Sequence, residues 1–233
     1  VLFSIPERIR HRSTEKVAAM SKGETTRAAI LDQALDLASE VGLEGLTIGV
    51  LAARVGMSKS GLYAHFSAKE NLQCEVLDAA AERFARVVVA RAFAEPPGLP
   101  QLTIMFDRWL HWNTTEFPGG CLFSAAAGEF DDRPGAVRDR IARHVDALLT
   151  VISSAARFAQ DEGLFRDDLD PEQFAFEYWG LLQAHHLYVR LLGAEDADRR
   201  ARTAHAGLIE GARDRQSPGG RIRGPGSRRN PRR

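Results

Sequence analysis

Residues 47–70 read TIGVLAARVGMSKSGLYAHFSAKE, two short helical patterns with a glycine between them. Ile48, Leu51, Ala52 and Val55 recur at the i, i+3, i+4, i+7 spacing of an amphipathic helix. Thr47 stands where a hydroxyl caps such a helix. Gly56 supplies the turn, because glycine enters a left-handed conformation without steric cost, and Met57 anchors that turn in the core. Ser58 then caps a second helix that buries Leu62 and Phe66. Its outward face consists of Lys59, Ser60, Gly61, Tyr63, Ala64 and His65, and no acid occurs between Arg54 and Lys69. Such a face suits a DNA major groove: small residues allow close approach, while Lys59, Tyr63 and His65 reach phosphates or base edges. Ser67-Ala68-Lys69-Glu70 has capping-box spacing and places Lys69 at a helix N-terminus, where free N–H groups and an ammonium suit a phosphate. The same spacings also occur in helical proteins that bind no DNA.

Outward from this stretch the chain is helical throughout. Ile30, Ala34, Leu37, Ala38 and Val41 form the stripe of a first helix over 22–41, opened by Ser21-Lys22-Gly23-Glu24 and ended by Gly42. After the two short helices, Leu72, Val76, Leu77, Ala80, Phe84, Val87 and Val88 line a long fourth helix over 68–93, stopped by Pro96-Pro97-Gly98. A fifth covers 99–117, a sixth 121–130, and a seventh runs from Pro134, near its first helical position, to Glu162. Asp131 and Asp132 suit a cap at that seventh start. Asp170-Pro171 opens an eighth helix to Leu192, and a ninth covers 197–212. Strand alternation and internal repeats are absent from the sequence, so the fold class is all-α.

The run around the opening stretch resembles the DNA-binding domain of the TetR (tetracycline-repressor) family of bacterial transcription regulators. The resemblance rests on Thr26-Arg27, Ile30-Leu31, Leu46-Thr47, Leu51-Ala52, Val55-Gly56-Met57-Ser58, Leu62-Tyr63, His65-Phe66 and Lys69-Glu70-Asn71-Leu72. Gly49-Val50 departs from the family's polar residue and isoleucine, and a glycine there lowers helix propensity by about 1 kcal/mol. Gly119 to Phe123 and Glu129 to Gly135 are similar to the C-terminal domain of one subgroup. The resemblance implies an N-terminal three-helix helix-turn-helix domain and a C-terminal helical domain that binds a small molecule and dimerises. It also implies a homodimeric, sequence-specific regulator of double-stranded DNA, usually a repressor.

On this basis residues 1–20 are expected to form a flexible arm, 21–67 the reading domain, 68–212 the ligand-binding and dimerisation domain, and 213–233 a disordered basic tail. The net charge of zero hides an asymmetry: +2 in residues 1–20, +7 in 211–233 and −9 between them. Basic ends add non-specific DNA affinity through counterion release, or serve as solvated tails. Translation is expected to start at Met20 or at an upstream GTG corresponding to Val1. Hydrophobic residues make up 44% of the chain, yet no run approaches the roughly 20 apolar residues of a membrane span. Cys74 and Cys121 are read as reduced thiols of a cytoplasmic protein.

The ligand wall is placed at Phe106, Trp109, Trp112, Asn113, Phe123, His144, Leu148, Tyr178 and Gln183, an apolar, aromatic set with few polar groups. These aromatics equally suit plain core. The dimer surface is placed at Phe174, Tyr178, Leu181, His185, Tyr188 and Leu192 of the eighth helix, with His205, Leu208 and Ile209 of the ninth. The eighth helix is apolar on more than one side, which implies a second buried surface. His185 and His186 point about 100° apart on a helix, so no metal or cofactor is expected. The sequence carries no Gly-x-Ser-x-Gly, phosphate loop or Gly-x-Gly-x-x-Gly, so nothing argues for an enzyme. The competing reading is a helical small-molecule-binding or adaptor protein with a vestigial helix-turn-helix.

Overall fold

The computed structural model describes residues 22–213. The expectations for the arm, the Ser21 cap and the basic tail beyond Arg213 lie outside the described residues. Those residues form nine helices and no strand. They are α1 (Lys22–Val41), α2 (Ile48–Val55), α3 (Lys59–Phe66), α4 (Lys69–Phe84, continued by Ala85–Val89 and Ala90–Ala92) and α5 (Leu99–His111, continued by Trp112–Glu116). There follow α6 (Leu122–Phe130), α7 (Ala136–Asp161), α8 (Pro171–Arg190) and α9 (Ala197–Ala212).

Short-range signals are realised as local geometry. Thr47 accepts the Val50 N–H at 3.1 Å, Ser58 the Gly61 N–H at 3.1 Å, and Asp170 the Glu172 and Gln173 N–H groups. Gly56 takes φ 67° at the end of α2. The capping box at 67–70 does not form. Ser67 adopts φ 61°, a left-handed value rare for a residue with a Cβ, and Ala68 becomes the N-cap without a side-chain bond. Pro134 lies before the cap Gly135 instead of inside α7, and Asp131 closes α6, its carboxylate accepting the Asp132 N–H. Val41 is 46% exposed; Leu35 joins the inward stripe of α1 instead.

Two helices carry π turns. In α4 the Ala90 N–H donates to the carbonyl of Ala85, five residues back, across a run of three valines. In α5 the hydroxyls of Thr114 and Thr115 return to the carbonyls of Leu110 and His111. These bonds satisfy carbonyls that a π turn leaves misaligned.

One continuous apolar core runs from Ile30 on α1 to Ala212 on α9. α1, α3, α6 and α7 pack against α4, α5 packs on its C-terminal end, α8 packs on α7 and α5, and α9 packs on α8. Two contacts fix the small N-terminal bundle to the rest. The Glu129 carboxylate on α6 accepts the N–H groups of Leu43 at 3.2 Å and Glu44 at 2.7 Å. The Gly119 N–H donates to Ser39 Oγ at 3.0 Å. A Cβ at residue 119 would sit 1.5 Å from the Ser39 carbonyl oxygen, so only glycine allows this approach. Gly119→Ala is therefore expected to lower stability by about 2 kcal/mol or more, since the obstacle is backbone. Gly128→Ala, in a helical site with nothing within 4 Å, is expected to raise it by about 0.5–1 kcal/mol. Urea midpoints of the two variants check both signs.

Candidate nucleic-acid interface and inner cavity

α3 is held by Leu62 and Phe66, both buried, against α2 and α4. Its opposite face leaves Lys59, Ser60, Tyr63 and Ala64 exposed, with Gly61 and His65 half-buried. Tyr63 is 52% exposed, and among the described residues its hydroxyl has no partner. Lys59 likewise has no ion pair among the described residues, whereas the neighbouring cations are committed: Arg54 to Glu40 at 3.3 Å and Arg27 to Glu75. Thr47 and Ser58 spend their hydroxyls on helix caps, and Ser58 Oγ lies 3.1 Å from Ser60 Oγ. Lys69 is not free at the start of α4. Its ammonium donates to the Glu44 carbonyl at 2.7 Å and pairs with the Glu44 carboxylate at 3.1 Å.

Gly49 belongs to this surface, although the sequence reading treated it as a departure. A Cβ there would sit 3.3 Å from Lys59 Cε. The missing side chain lets the lysine stem lie across α2 and carry its charge outward. The signal was the glycine itself, inside a helix with no turn to explain it.

Behind the bundle lies an apolar cavity of about 60 Å³. Of the expected wall, Trp109, Phe123, His144 and Leu148 line it. The remaining residues of that set lie outside its lining. Phe106 and Tyr178 are fully buried in solid core, where Phe106 stacks on His205 at 4.0 Å and meets Tyr178 edge-on at 5.4 Å. Trp112 packs between Phe84 and Phe117, and Gln183 is half-buried away from the cavity lining. Asn113 is buried, its amide donating to His185 Nδ1 at 3.1 Å. On its other side, His185 Nε2 lies 2.8 Å from Asp198 Oδ1. Phe84, Ala85 and Val89 of α4 also line it, with Cys121 and, from α7 and α8, Ala147, Val151 and Trp179. His144 closes one end, its Nε2 2.9 Å from Asp78, which also pairs with Arg140. Among the described residues, no three His, Cys, Asp or Glu side chains stand together as a metal-holding group.

The dimer face also needs correction. Phe174, Tyr178, His185, His205 and Ile209 point into the subunit's own core, and Leu181 and Leu208 are half-buried. The outer stripe of α8 instead carries Phe176 and Leu187, with Tyr188 beside them, and it continues past the helix end to Leu191, 75% exposed, and Leu192. Gly180 on α8, with Ala204, Gly207 and Gly211 on α9, adds small exposed residues.

The comparisons with known proteins agree with this architecture. Residues 30–75 match the model of bacterial regulatory proteins, tetR family, and residues 98–205 that of the tetracyclin repressor-like C-terminal domain. The tetracycline repressor protein class C of Escherichia coli is 46% identical over 56 residues, so the chain spans about a quarter of that curated relative, 24% of its length. The solved structure of a TetR transcriptional regulator from Chloroflexus aurantiacus is 25% identical, with a TM-score of 0.73 over 82% of this chain and 96% of its own. AibR, solved with isovaleryl coenzyme A and operator DNA, has the same fold at 22% identity and a TM-score of 0.63, over 78% of this chain and 95% of its own.

Burial pushes His205 down to about 4, with Arg202 adding and Asp107 opposing. Burial also lowers His186, helped by Arg190. Between pH 6.5 and about 4 the unfolded chain therefore binds the proton that folded His205 refuses. Stability is expected to fall as pH drops through that window, by about 1–3 kcal/mol in urea titrations. His205→Phe, which keeps the ring on Phe106, is expected to remove part of the fall.

Proposed function

The chain belongs to the TetR family of bacterial regulatory proteins, and from that premise we propose that it is a sequence-specific DNA-binding transcription regulator, a repressor released by a small apolar ligand. The observation that carries this reading is the face of α3: a cap-anchored helix with an exposed Tyr63, no acid, and a Lys59 that has no ion pair among the described residues. Lys59 contacts a phosphate or a guanine edge, and Tyr63 a base or sugar. Ser60, Gly61 and Ala64 keep the approach close, and His65 flanks it. Lys69 orients the loop at Glu44, and the α4 N-terminus beside it faces the backbone. The inner cavity is the effector site. The regulator works without catalysis, in the cytoplasm beside its DNA; no helix of the described residues is long and apolar enough to cross a membrane.

One reading helix contacts too few base pairs for specificity, so the proposal includes a two-fold dimer. The exposed stripe of α8 and the small residues of α9 supply a self-complementary face. It brings two copies of α3 to successive half-sites, about 34–36 Å apart. Selection of bound duplexes from a random pool tests the reading and is expected to return a near-palindrome. On that operator, Lys59→Ala and Tyr63→Ala are each expected to weaken binding by about 1–3 kcal/mol, with Lys59→Ala also lowering the salt slope by about one. Recovery of no enriched sequence would overturn the assignment. Leu187→Arg or Leu191→Arg is expected to give a monomer by light scattering, with weaker operator binding although α3 is unchanged.

A further inference from the structure

We propose that the effector is a compact, uncharged aromatic molecule, and that the π turn Ala85–Val89 is the wall that yields to admit it. This rests on the reading of the cavity as the effector site and extends it to ligand chemistry and coupling.

The lining fixes the class. The rings of Phe84, Trp109, Phe123 and Trp179 surround the space, with Ala85 and Ala147 leaving room between them. No acid, lysine or arginine lines it. His144 is the one ionisable ring on the wall, and its Nε2 is already committed to Asp78. A charged ligand would give up its hydration there and gain no counter-ion. A flat neutral ring gains edge and face contacts with four aromatic side chains.

Size supplies the coupling. The cavity holds about 60 Å³. A cavity that takes benzene elsewhere measures about 150 Å³. A ring seated wholly inside therefore displaces part of this wall. Trp109 is wedged between Phe84 at 4.7 Å and Trp179 at 5.5 Å, and α7 is regular helix over its whole length. The lower half of α4 is tied to α7 through Asp78, Arg140 and His144. The irregular segment is the π turn, where Ala85 and Val89 face the cavity. A π turn holds one residue more than an α turn, so relaxing it shifts the helix on one side by about 1.5 Å and 100° relative to the other. α4 leads directly to Ser67 and the reading helix, so occupancy of the cavity moves the DNA-binding face.

The test compares two probes with the same ring, 4-fluorotoluene and 4-fluorobenzoate, by fluorine NMR on the full chain without DNA. The neutral probe is expected to bind at least about tenfold more tightly than the anion, for which the wall has no counter-charge. Ala85→Leu on α4 and Ala147→Leu on α7 fill the cavity from two helices, and each is expected to lose the neutral probe. Hydrogen exchange of amides 85–90 is expected to change with saturating 4-fluorotoluene more than that of α7. Equal binding of both probes, binding that survives both fillings, or unchanged exchange at 85–90 would overturn the proposal. Probe binding needs no DNA, so the two readings fail separately. A protein that selects an operator but ignores the neutral ring overturns this inference alone. One that binds the ring but selects no operator overturns the regulator reading and supports the ligand class.

Discussion

The carboxylate of Glu129 holds the molecule's two halves in register. α1 ends at Gly42, with φ 79°, and the chain turns so that the N–H groups of Leu43 and Glu44 face α6. Without this acceptor the part-buried Leu43 N–H would lose its partner, a penalty of about 1–3 kcal/mol, while the exposed Glu44 N–H would turn to water. One ionised side chain satisfies both, and hydrogen bonds to a charged group are the stronger kind. The rest of the junction gathers around that point. Gln73 of α4 donates to the Leu43 carbonyl at 2.7 Å, while the Glu44 side chain receives Lys69 at 3.1 Å and Arg133 at 3.4 Å. The short loop after α1 thus joins α1, α4 and α6, the three helices that relate the cavity to the reading face.

The polar interior behind that junction is sparing and specific. His185 is held from both sides, by Asn113 and by Asp198, so its ring has one orientation. Tyr178 donates to the Leu102 carbonyl at 2.8 Å, and burial drives its phenol well above the usual tyrosine range. These bonds cross between α5, α8 and α9, where apolar packing alone would leave the helices free to slide.

What the sequence made legible was what neighbours along the chain determine. The caps at Thr47, Ser58 and Asp170 are bonds spanning two or three residues, so spacing alone finds them. The failed box at Ser67 has the right spacing too. Its backbone is set by how α3 must turn to enter α4, which is a tertiary matter. Periodicity also told which sides of α5 and α8 are apolar, but not which of them are filled. Phe106, Tyr178 and His205 satisfy one another as a stack and leave no space, while the open volume appears where small residues, Ala85 and Ala147, face large rings. On α8 more than one stripe is apolar, and the outer one became visible only once His185 had found Asn113 and Asp198 inside. The role of Gly49 was hidden for a related reason: its partner, Lys59, comes from the next helix.

The contact between Gly119 and the end of α1 is written in backbone more than in side chains. The glycine lies against the main chain of Ser39 and Glu40, and Glu129 grips main-chain N–H groups one turn further on. Main-chain groups are the same whatever residues carry them. The seam is therefore nearly blind to the sequence of α1, so the reading head can diversify without renegotiating its mounting. It is a socket: a head from a relative that spans α1 to α3 and is rejoined within α4 keeps the fit if it brings a glycine at position 42 and a small hydroxyl residue at position 39.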